Sequence, residues 1–126
     1  MGSLLGNTRR PDISFYKNGR IDIASRVVRM LDIQEGDVID IDQCNGEYLL
    51  YVRLKGRNAQ GRHEAQCYPT KNNSHNYRTY SKRLSEAMLS ICGADQIARL
   101  SLGEALSSDM HGKAIPIITR INLNSL

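Results

Sequence analysis

Two periods alternate along this chain. Between Asp12 and Ile23 the apolar positions fall on every second residue, Ile13 and Phe15 against Ser14, then Ile21 and Ile23 against Asp22, with Lys17-Asn18-Gly19-Arg20 between them. That pattern predicts two half-buried strands joined as a hairpin. From Val27 the spacing changes. Val27, Val28, Met30 and Leu31 share one stripe of a short helix, with Ser25 placed to cap it and Arg26 and Arg29 left able to lie toward solvent. Glu35-Gly36-Asp37 reads as a tight turn in which Gly36 takes a positive φ. Val38, Ile39 and Ile41 open another strand, and EYLLYVRL (47–54) predicts the next.

The remaining chain is read the same way. GRNAQGR (56–62) is a polar loop, HEAQCY (63–68) alternates as a strand, and PTKNNSHN (69–76) is a turn-rich connection. A helix follows at 81–92, then strands near 97–102 and 114–121. Setting Tyr77 against Tyr16, an offset of 61 residues, aligns Leu84 with Ile23, Met88 with Val27, Leu89 with Val28, Leu100 with Ile39 and Leu102 with Ile41. Two readings fit: an internal duplication of two β-α-β-β halves, or a simple α+β domain whose second half happens to share the spacing. The organisation expected is a mobile lead (1–11), a first unit (12–56), a basic and polar connection (57–76) and a divergent second unit packed on the first (77–126). The fold class is α+β, mostly β.

The run GRIDIASRVVRMLDIQEGDVIDI (19–41) resembles the core motif of the AbrB/MazE/SpoVT family, whose usual wording is close to GRIxIPxxxRxxLGIxxGDxLxI. Ala24 stands where the family usually has Pro, and Asp32 where it usually has Gly. The resemblance implies a swapped-hairpin barrel, built in the family from two intertwined chains, and a role in binding DNA as a regulator or antitoxin. With a duplication, one chain would supply both halves; without it, the resemblance implies a homodimer through residues 12–54. Arg20, after the turn glycine, and Arg29, on the helix, match family positions that contact DNA. The second helix position is Val28 here and the first strand lacks its usual base, leaving Lys17 and Arg26 to compensate.

Charge sharpens this picture. The net +4 and pI near 9.1 lean toward a polyanionic partner. Residues 31–50 hold six acids and no Lys or Arg, whereas 53–83 hold eight bases and the single acid Glu64. Tyr68, Tyr77 and Tyr80 interleave there with Lys71, Arg78, Lys82 and Arg83, the mixture in which rings meet bases and cations meet phosphates. The candidate DNA contacts are therefore Arg20, Arg29, Lys17, Arg26, Arg78, Lys82 and Arg83, with duplex DNA favoured over single strands.

Other chemistries find little footing. Cys44, Cys67 and Cys92 are odd in number and form no CxxC pair, which argues against a disulfide framework or a zinc site and for a reducing cytoplasm. His63, His75 and His111 are far apart, and no GxSxG elbow, phosphate-binding glycine loop or EF-hand spacing occurs. No apolar run reaches the length of a membrane span. The expectation is a cytoplasmic DNA-binding regulator without cofactor or metal. The alternative is a non-enzymatic interaction module on the same scaffold; an antitoxin tail fits poorly with the apolar IPIITRINL near the C-terminus.

Overall fold

The computed structural model describes residues 10–71 and 75–119. Most of the lead expected at 1–11 lies outside the described residues, as do the middle of the 69–76 connection and the end of the strand expected at 114–121. The first half forms β1 (Ile13–Tyr16), β2 (Arg20–Ile23), α1 (Ser25–Leu31), β3 (Val38–Cys44) and β4 (Glu47–Leu54). The second forms β5 (Tyr68–Pro69), β6 (Tyr77–Tyr80), α2 (Lys82–Cys92), β7 (Ile97–Leu102), β8 (Leu106–Ser108) and β9 (Gly112–Ile118). Of the described residues, 43% lie in strands and 20% in helices, so the fold is mostly β.

All strands join one curled antiparallel half-barrel in the order β3-β4-β9-β7-β1-β2-β6-β5, with β8 beside β9. Alternation sends Ile13, Phe15, Ile21, Ile23, Ala98, Leu100 and Leu102 inward, where they are buried with Leu50 and Ile115. Val27 and Leu31 from α1 and Met88 and Leu89 from α2 complete this core. Each such side chain contributes roughly 1.5–3 kcal/mol on burial. The two ends of the sheet also meet. Cys67 N–H donates to the Asp37 carbonyl and Gly36 N–H to the Cys67 carbonyl, both at 2.7 Å, and Ile39 N–H donates to the Ala65 carbonyl at 3.1 Å.

The two halves share several strand pairings. β1 pairs with β2 as β5 does with β6, and β3 pairs with β4 as β7 does with β9. β1 borders β7 much as residues 65–67 border the start of β3. Asp12, just before β1, binds the second residue of α1, Arg26, and Glu64 binds the second residue of α2, Arg83. Both helices end in a left-handed residue, Asp32 and Gly93, after which Ile33 N–H reaches the Val28 carbonyl and Ala94 N–H the Leu89 carbonyl. The halves differ in helix length: α2 has eleven residues and α1 seven. At the offset of 61, Leu84 in a helix therefore falls against Ile23 in a strand.

Two local expectations need correction. Ser25 does not cap α1; Ala24 holds the cap position without a side-chain bond, and the Asn76 carboxamide oxygen accepts from Ser25 N–H at 2.9 Å. Residues 63–68 do not form one strand, because Ala65 takes φ 63° and breaks the alternation, leaving β5 only Tyr68–Pro69. Arg26 keeps 38% of its side-chain surface open, as its place on the helix allows, while its guanidinium meets the nearly buried Asp12 carboxylate at 3.0 Å.

The acidic turn is built around Asp37, which is fully buried. Its carboxylate accepts from the backbone N–H groups of Gln34 and Gly56, both at 2.7 Å, and from the Lys55 ammonium. Gly36 takes φ 88° there, as the turn requires.

Candidate nucleic-acid interface

The pleat that sends Ile13, Phe15, Ile21 and Ile23 inward must send their neighbours outward. Across the outer face, Arg99, Ser14, Asp22, Arg78 and Tyr68 follow one another on β7, β1, β2, β6 and β5. One row along, Tyr16 faces Ile97 and Arg20 faces Tyr80. The Arg20 guanidinium carbon sits 3.9 Å from the centre of the Tyr16 ring, a cation–π stack that holds it flat on the sheet. Its Nε is buried without a hydrogen-bond partner. Asp22 is shared, with Oδ1 accepting from Arg78 Nε at 2.7 Å and Oδ2 lying 3.3 Å from Arg20 Nη2. The hydrogen bond to Asp22 raises the Arg78 pKa further, so this guanidinium stays charged at any working pH.

A hollow over this face is lined by Arg10, Arg26, Arg78 and Arg99 against the carboxylates Asp12 and Asp22. It runs at Thr70 and Arg78 into a second, lined by Arg62, Tyr68, Lys71 and Tyr80. A third hollow, sharing Tyr77 with the first and Pro69 with the second, holds Arg29 and His75. Arg20, Arg26 and Arg78 thus belong to one region, with exposed Arg29 at its margin.

The other candidates lie elsewhere. Lys17 is exposed in the β1–β2 turn, and Lys82 packs against Gly19 of that turn and approaches Glu86 at 3.9 Å. Arg83 makes a two-nitrogen contact with Glu64 and lines a different hollow with Asp40 and Arg53. Hydrogen bonds from Arg83 and then Ser81 hold the Glu64 carboxyl below its ordinary range. Arg99 was absent from the sequence-derived set, although its place between Ala98 and Leu100 in an alternating strand marks it as outward.

Among the described residues, no three His, Cys, Asp or Glu side chains form a metal-holding group, and no helix is long and apolar enough to cross a membrane. His111 Nε2 lies 2.7 Å from Asp42 and its ring stacks on Tyr51 at 3.8 Å, which ties the β8–β9 turn to the β3–β4 hairpin. All three cysteines are free, and burial pushes the Cys67 thiol up to about 12. In comparisons with known proteins, the chain matches no family model, no curated protein and no solved structure.

Proposed function

We propose that this chain is a non-enzymatic DNA-binding protein of AbrB-like type, acting in transcriptional regulation, whose two halves form a swapped-hairpin barrel within a single chain. The observation that carries the reading is the outer face of β7-β1-β2-β6-β5, where Arg20, Arg78 and Arg99 stand in adjacent rows with Arg26 beside them. Four arginines against two carboxylates around the main hollow leave a surplus of positive charge facing outward. Five strands at about 4.8 Å spacing span ~19 Å, wider than the ~12 Å major groove of a duplex. The face therefore docks across phosphates flanking a groove, which positions the protein more than it reads sequence.

The duplication is supported by the strand pairings that the two halves share: β2 pairs antiparallel with β6, and β4 with β9. A chain that carries both halves needs no second copy to complete the sheet.

The test is a duplex-binding titration of Arg20→Ala, Arg29→Ala and Arg99→Ala, with Arg53→Ala, away from the face, as control. The first three should weaken binding with melting temperature little changed; equal affinity in all four would remove the reading. One observation favours a second reading, an interaction module without DNA: Arg20, Arg26, Arg78 and Arg83 each already meet a carboxylate. No duplex binding at low salt would select it.

A further inference from the structure

We propose that the groove along the β5–β6 edge binds single-stranded nucleic acid, with Tyr68 and Tyr80 stacking on unpaired bases while Arg62, Lys71 and Arg78 hold phosphates. This goes beyond the duplex reading, since it requires neither Arg20 nor Arg99. Tyr68 and Tyr80 keep 48% and 59% of their surface open, and no other tyrosine or phenylalanine among the described residues is as exposed. Both line the same groove with the three cations, and no carboxylate lines it.

The register sets their spacing. Tyr68 faces Arg78 directly, and Tyr80 lies two residues further along β6 on the same side of the sheet. Such diagonal neighbours start about 7–8 Å apart, about twice the ~3.4 Å rise between stacked bases. One base therefore fits between the rings, or one on each. Arg78 sits directly across from Tyr68 with its Nε held by Asp22 at 2.7 Å, so the cation is positioned before any ligand arrives. In a duplex the base faces are covered by their neighbours, and rings on a flat strand cannot reach them; an unpaired strand offers faces and phosphates together. Stacking of this kind tolerates any base, so the expected preference is for strandedness over sequence.

Fluorescence anisotropy of the full chain tests this with labelled twelve-nucleotide strands of dT, of U and of abasic sugar-phosphate, beside a duplex of equal length. The dT or U strand should bind at least tenfold more tightly than the abasic strand, and comparing U with a dU strand of equal length identifies the preferred sugar. Tyr68→Ala and Tyr80→Ala should each weaken strand binding about fivefold or more, a larger loss than either causes in duplex affinity, while Tyr68→Phe and Tyr80→Phe retain strand binding. Lys71→Glu, at an exposed turn position, should cause a comparable loss if an alanine variant does not fold. Equal binding of dT, U and abasic strands, unchanged strand binding by the variants, or no strand binding at low salt would overturn the proposal. The duplex arm reports separately on the Arg20 and Arg99 face, so failure there leaves the strand result standing.

Discussion

At Asp37 a carboxylate without solvent contact accepts two backbone N–H groups and a lysine, which locks the 34–37 turn to the Lys55–Gly56 segment. Asp37→Ala leaves those donors unmatched and should cost about 2–4 kcal/mol in urea unfolding. Ser85 presents the opposite case. Its hydroxyl is buried without a partner, so Ser85→Ala should leave stability unchanged or raise it by up to about 1 kcal/mol. Glu64 supplies a pH dependence. Its folded pKa lies below the ordinary 4.5, so its contribution is fully present above that value and is lost as pH falls through the depressed one. Glu64→Gln should flatten that part of the acid limb and little else, as unfolding midpoints at stepped pH would reveal; a partly exposed pair of this kind makes the effect small. The buried, high-pKa Cys67 should resist alkylation until the protein unfolds, while exposed Cys44 reacts first. The partners of Asp37 could not be read from sequence, because Gly56 and Lys55 arrive from a loop that shows no period.

Elements were legible where a single period ran without interruption. EYLLYVRL matches β4 and the alternation of IARLSL matches β7, while α2 has an apolar stripe, the Ser81 side chain bonding Leu84 N–H at its start and Gly93 at its end. α1 was legible by its stripe, but its N-terminal bond comes from Asn76, fifty-one residues away, which no local signal announces. Asn76→Ala should therefore weaken α1 at a cost of about 1 kcal/mol despite lying outside the helix. Gly56 has a similar long-range reason. A Cβ there would lie 2.6 Å from the Glu35 carbonyl oxygen, so Gly56→Ala should push the two turns apart and destabilise by roughly 1–3 kcal/mol, measured in the same unfolding assay.

At the scale of the molecule, the net charge of +4 conceals how the arginines are arranged. The hairpin pattern placed Asp22 on the outer side with Arg20 beside it, but the short strand that carries Arg78 was not read from the sequence, and the convergence with Arg99 depends on β7 pairing with β1 across more than eighty residues. Pairing at that separation follows from the closure of the sheet and is invisible to local periodicity. The same closure makes each half depend on the other: a fragment of residues 1–56 should stay unfolded or dimerise, whereas the full chain should sediment as a monomer. The most direct test of the central claim is a titration of the full chain against duplex DNA over a series of salt concentrations. Measurable binding at low salt is expected, with a log–log slope of about −0.9 for each phosphate neutralised and a total of several such contacts. A duplex that does not bind at low salt, or binds with an affinity independent of salt, would contradict it.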